Sequence, residues 1–202
     1  MNIREKFSAV ILSLGFILAL LPLSENRTLT VKPQKLLSEI IDQNSYFTVD
    51  QVAKFIVSED NSIQIIDLRS PAEFRSLSIP GSINVPYNEF LDNYADRILN
   101  NGKSKNILYS NGDFDSNYAL VIARGLNYKN TYVMRGGLNE WFRTVMNSSF
   151  KGDRITAREN ALYETRTRAK DMFTEINSLP DSMKVKFIQL KHIARKLDGG
   201  CE

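Results

Sequence analysis

The residues whose types and spacing suit chemistry are concentrated in one stretch, Ser110-Asn111-Gly112-Asp113-Phe114-Asp115-Ser116. They lie between a short apolar run, Asn106 to Tyr109, and a helical pattern from Asp115 to Leu126. In open α/β sheets, ligands bind beyond the carboxyl ends of the strands. A turn in that place aims successive backbone N–H groups into one concavity, and the helix behind it adds partial positive charge. The chemistry on offer is capture of an anion. The same residues also read as an ordinary connection in which Asp115 or Ser116 caps the helix. Ser110 has no histidine near it in sequence to serve as a base, which argues against a serine hydrolase.

Other reactive groups are sparse. The one cysteine, Cys201, sits in a Gly-Gly-Cys-Glu tail and cannot form an internal disulfide. The one histidine, His192, falls in a helical pattern away from other ligands. Asp113 and Asp115 are too few oxygen donors for calcium or magnesium, and their place at a helix start suits the helix dipole. No metal and no cofactor is therefore expected. A net charge of +3 without a dense Lys/Arg run lacks the electrostatic footprint of a nucleic-acid binder. With 43% hydrophobic and 24% charged residues, the chain can bury a core without disulfides.

The elements that must position the loop alternate between helix and strand over residues 46–150, the pattern of a largely parallel sheet. Thr48-x-x-Gln51 is a capping box for a helix through Ile56. Ser62 to Leu68, Asn106 to Tyr109 and Thr131 to Met134 read as buried strands. Pro80-Gly81 is a turn, Tyr87 to Leu99 has helical periodicity through Phe90, Leu91, Tyr94 and Ile98, and Gly136-Gly137 follows the last strand.

The ends read differently. Arg4 and Lys6 precede an uncharged apolar stretch, Phe7 to Leu23. That length falls between a signal-peptide core and a spanning helix. The expectation is an uncleaved membrane anchor through residues 7–23, with a cleaved signal peptide as the alternative and residues 1–24 as the unit. The positive-inside rule then puts the rest of the chain on the extracytoplasmic, periplasmic side. Residues 25–45 form a linker with a short helix from Pro33 to Ile41. Residues 151–202 form a helical hairpin, opened by the capping box Thr156-x-x-Glu159 and punctuated at Ser178-Leu179-Pro180-Asp181. Leu162, Ala169, Met172, Phe173 and Ile176 share one face of the first helix. Met183, Phe187, Leu190, Ala194 and Leu197 share one face of the second, and Gly199 and Gly200 stop it. Such a hairpin either folds back on the central domain or offers its face to a partner protein.

Ile65-Ile66-Asp67-Leu68-Arg69-Ser70-Pro71-Ala72-Glu73-Phe74, Ile79-Pro80-Gly81-Ser82-Ile83-Asn84-Val85-Pro86, Tyr109-Ser110, and Tyr132-Val133-Met134-Arg135-Gly136-Gly137-Leu138-Asn139-Glu140-Trp141 resemble the rhodanese family, in order and spacing. The resemblance covers about half of the chain. It implies a central parallel sheet flanked by helices and places Ser110 where sulfurtransferases of the family carry a persulfide-forming cysteine. It makes Asp67, Arg69 and Glu73 a structural charge cluster. Departures are Asp113 and Asp115 in the loop, Ser116 where phosphatases of this fold use arginine, and Leu77-Ser78 where Gly-His is common. The expectation is a non-catalytic binding or scaffold module taking a protein partner or a small anionic or thiol ligand. The alternatives are a sulfurtransferase that uses Cys201 and an interaction protein acting through its C-terminal helices.

Overall fold

The computed structural model describes residues 2–20, 38, 42–100, 102–149, 156–187 and 190. Their strands form one five-stranded, all-parallel sheet: β1 (Tyr46–Phe47), β2 (Ile63–Asp67), β3 (Ile83–Asn84), β4 (Lys105–Tyr109) and β5 (Thr131–Met134), in the order β1-β5-β4-β2-β3. β2 and β4 are interior strands, and all of their residues except Lys105 are buried, as in strands covered on both faces. Their register pairs Ile65 with Ile107 and Asp67 with Tyr109, so both strands end level with each other.

The helices are α1 (Ile3–Leu20), α2 (Val49–Val57), α3 (Pro71–Ser76), α4 (Asn93–Leu99), α5 (Phe114–Gly125), α6 (Gly137–Trp141) and α7 (Ala157–Ser178). Two apolar clusters fill the two sides of the sheet. One joins α2, α6 and α7 through Val52, Trp141 and Phe173, and the other joins α4 and α5 through Phe90, Leu99 and Leu120. The capping boxes expected at Thr48/Gln51 and Thr156/Glu159 are formed. A third, Ser70/Glu73 with Pro71 in the first turn, starts α3, a helix that periodicity over six residues is too short to reveal.

Two local expectations are corrected. The stretch from Tyr87 to Leu99 is not one helix: a 3-10 turn, Tyr87–Glu89, precedes α4, whose N-cap is Asp92. The restart at Asp92 resets the phase, so Phe90, Ala95 and Leu99 are buried while Leu91 and Tyr94 face solvent. Residues 181–187 are helical after the expected turn, but Met183, Phe187 and Leu190 are exposed and Lys184 is the buried residue. The shallow cleft they leave is lined by Pro80, Met172, Glu175, Ile176, Leu179 and Phe187. No helix among the described residues is long and apolar enough to cross a membrane, and residues 21–23 of the expected 7–23 anchor lie outside them. The first turn of α1 carries Arg4, Glu5 and Lys6, and the apolar remainder from Phe7 to Leu20 extends about 21 Å at ~1.5 Å per residue. Most of the expected helix from Pro33 to Ile41, and Ala194, Leu197, His192 and Cys201, lie outside the described residues.

Candidate functional site

The loop from Ser110 to Asp113 leaves the carboxyl end of β4 and turns into α5. Ser110 is 3% exposed, and its hydroxyl donates to Asp115 Oδ2 at 3.0 Å. Asp113 stands at the N-cap of α5 without capping it by a side-chain bond. Its Oδ1 instead accepts the Gly136 N–H at 2.5 Å, across the loop. Asn111 Nδ2 donates to Glu73 Oε1 at 3.1 Å, which ties the loop to α3. Three polar side chains of one loop thus brace it internally, to the β5–α6 corner and to α3. Phe114 is 73% exposed and packs at a tilt against Tyr118, while Ser116 is fully buried with its hydroxyl unpartnered among the described residues.

Main-chain contacts complete the frame. Leu138 and Asn139 N–H groups donate to the Ser110 and Asn111 carbonyls at 2.9 and 3.0 Å. This closeness needs Gly137: a Cβ there would lie 2.4 Å from Ser110 O and 2.9 Å from Gly112 N, and its φ is +55°. By contrast, the N–H groups of Asn111, Gly112 and Asp113 meet no backbone acceptor among the described residues. The turn thus holds three successive backbone donors without backbone acceptors, in the same segment as Asp113 and Asp115.

Asp67, Arg69 and Glu73 separate into two groups. Asp67 and Arg69 form a buried bidentate pair under the loop, with Arg69 Nε at 3.0 Å from Oδ1 and Nη2 at 2.6 Å from Oδ2. Tyr109, the residue before Ser110, donates its hydroxyl to Asp67 Oδ2 at 2.6 Å and accepts the Ile79 N–H at 3.1 Å. Burial, then the Asp67 charge, pushes the Tyr109 phenol well above its ordinary value, so it stays a neutral donor. Burial works against the Arg69 charge, but the bond and charge of Asp67 outweigh it and the net displacement is upward. Glu73 belongs to the loop side. Hydrogen bonds from Ser70 and then Asn111 hold its carboxyl below the ordinary range. Reasoning from sequence missed Tyr109 and Gly137 as site residues. The Gly-Gly pair after β5 is the one signal that pointed to the second.

Chemically, the arrangement offers backbone donors, a serine hydroxyl committed to a carboxylate, and acidic neighbours. No group of three or more His, Cys, Asp or Glu able to hold a metal ion occurs among the described residues.

Residues 48–144, which hold strands β2 to β5 of the parallel sheet, the loop after β4 and the Gly-Gly corner packed on it, match the family described as Rhodanese-like domain. Among curated proteins, the thiosulfate:glutathione sulfurtransferase of Saccharomyces cerevisiae is 26% identical over 105 residues, 47% of this chain and 76% of that protein. Among solved structures, a single-domain sulfurtransferase of Saccharomyces cerevisiae is similar at TM-score 0.42 and 21% identity, covering 49% of this chain and 89% of its own. A human single-domain sulfurtransferase is similar at TM-score 0.41 and 20% identity, covering 50% and 96%.

Proposed function

We infer that this rhodanese-like domain is a binding or scaffold module that does not transfer sulfur. The observation that carries this reading is the Ser110 hydroxyl, buried and donating to Asp115. Sulfur transfer from thiosulfate needs a thiolate to attack the sulfane sulfur, form an S–S bond and release sulfite. The persulfide then hands its outer sulfur to a thiol or cyanide. An alcohol cannot hold sulfur in that way, and Ser110 has no histidine beside it in the loop to serve as its base. Asp113 and Asp115 add a second obstacle: like charge within ~4–6 Å raises a thiol pKa and opposes an anionic donor. The occupant of the nest is a small anionic or thiol ligand, or a polar group of a protein partner.

The full chain, purified and offered thiosulfate and cyanide, is expected to yield no thiocyanate above the buffer rate and no cyanolysable sulfur. Ser110→Cys should gain an alkylatable thiol yet remain a poor transferase. The likeness to the yeast sulfurtransferase favours a second reading, a sulfurtransferase, for which the chain's one thiol, Cys201, would have to carry the sulfur. Wild-type turnover abolished by Cys201→Ser would establish that reading in place of the first.

Export to the extracytoplasmic side, with the domain beyond the membrane, is part of the same proposal. Its support is the sequence of Arg4 and Lys6 followed by the apolar residues 7–20 of α1. Fractionation of cells expressing the chain, with N-terminal sequencing, should find it outside the cytoplasm, and a cytosolic product with an intact N-terminus would refute export.

A further inference from the structure

The helices after residue 156 reach the candidate site through two polar side chains, Asn177 and Lys184. Asn177 grips the backbone of Ser78 from both sides: its Oδ1 accepts the Ser78 N–H at 2.9 Å and its Nδ2 donates to the Ser78 carbonyl at 2.9 Å. Lys184 is 2% exposed. Its ammonium donates to Arg75 O at 2.7 Å, Ser76 O at 3.3 Å and Asn177 Oδ1 at 3.2 Å. Carbonyls at a helix C-terminus lack intrahelical donors and carry partial negative charge. Lys184 therefore completes the C-terminus of α3 from outside, and burial draws its pKa below the ordinary value.

Two routes lead from these contacts to Ser110. Along the first, α3 is a single short rod: Lys184 holds its C-terminal carbonyls, and Glu73 in its first turn holds Asn111 of the loop. Along the second, the clamped Ser78 lies between Leu77, whose carbonyl accepts Arg69 Nη2 at 2.5 Å, and Ile79, whose N–H donates to the Tyr109 hydroxyl. Tyr109 is fully buried, and the partners of its hydroxyl, Ile79, Ser82 and Asp67, all come from the segment between β2 and β3 or its ends. Where residues 75–79 sit thus decides how the end of β4 is held, one residue before Ser110.

We propose that Asn177 and Lys184 are positioning residues through which the C-terminal helices set the conformation of the Ser110–Ser116 loop. This rests on that loop being the functional site, and it assigns the C-terminal extension a role in controlling it. A partner that draws the extension away releases α3 and the 75–79 segment together, and with them the loop.

The test uses the full chain with Ser110→Cys and Cys201→Ser, which leaves one thiol, at the site. In that background Asn177→Ala is expected to speed alkylation of the thiol by iodoacetamide at least fivefold. Arg166→Ala is the control, because Arg166 docks the helix that carries Asn177 through an ion pair with Asp50 of α2, at 2.7 Å, and its side-chain bonds go there. It should change the rate less than twofold. Lys184→Met should act like Asn177→Ala, whereas Lys184→Arg, which keeps cationic donors, should stay within twofold of the parent. Should Asn177→Ala fail to fold, the Lys184 pair decides alone. Equal acceleration by Arg166→Ala, or no acceleration by Lys184→Met, overturns the proposal. Alkylation requires no sulfur transfer, so a failure here is distinct from wild-type turnover in the thiosulfate assay.

Discussion

Gly137→Ala is expected to lower stability by about 3–5 kcal/mol and to displace the candidate loop. Two effects combine. The φ of +55° places Gly137 in the left-handed region, where a side chain costs of order 1–3 kcal/mol by itself. The new Cβ would also stand 2.4 Å from Ser110 O and 2.9 Å from both Asn111 C and Gly112 N, and these are backbone atoms with no rotamer to escape into. The chain can relieve the clash only by moving the loop off the β5–α6 corner. That movement stretches the bonds from Leu138 to Ser110 and from Asn139 to Asn111. Urea denaturation would give the stability change, and amide resonances of Ser110, Asn111 and Gly112 should move more than those of α5 beyond its first turn. A loss under 1 kcal/mol would mean that the corner is not packed as described.

Asp67→Ala is the second large effect, with an expected loss of about 3–5 kcal/mol. Asp67 is wholly buried and answers four donors: the Arg69 N–H, Arg69 Nε and Nη2, and the Tyr109 hydroxyl. Removing it strands the guanidinium of Arg69, a residue only 7% exposed, and leaves the buried phenol only the longer contact to Ser82 Oγ at 3.2 Å. The expected cost comes from the orphaned charge more than from lost attraction. Accordingly, Asp67→Leu combined with Arg69→Met should recover part of the stability lost by Asp67→Ala, because no buried charge remains. Recovery stays partial, since Leu77 O and Ile79 N–H depend on the same cluster. If the double variant were less stable than Asp67→Ala, the pair would be contributing net attraction and the orphaned-charge account would fail.

How much of this was legible in the sequence varies element by element. The strands around Ile65 and Ile107 were readable because each centres on a short run of apolar residues, Ile65-Ile66 and Ile107-Leu108-Tyr109, as in strands covered on both faces. The caps at Thr48 and Thr156 were readable because a capping box is closed within four residues. The split of Tyr87 to Leu99 was not, since apolar residues at 90, 91, 94 and 98 satisfy a helical period whether or not the helix restarts at Asp92. The second C-terminal helix misled in the same way. Met183, Phe187 and Leu190 are apolar at helical spacing and yet exposed, while the interior contact falls to Lys184, whose methylene stem buries and whose ammonium finds carbonyls.

By itself, the sequence determined the alternation of helices and strands, the position of the Ser110–Ser116 loop after a central strand, and the absence of a thiol in that loop. These are properties of local pattern and composition, carried by residues within a few positions of each other. Tertiary structure alone decided which groups answer one another across the loop. Glu73 joins Asn111 over 38 positions, and Asn177 joins Ser78 over 99. Asp113 turns from its helix to the Gly136 N–H, and Asp115 takes the Ser110 hydroxyl. The physical reason is that a hydrogen bond is specified by position and direction within a few tenths of an ångström. Only the packed sheet, with its Gly137 corner and its C-terminal helices in place, supplies those coordinates.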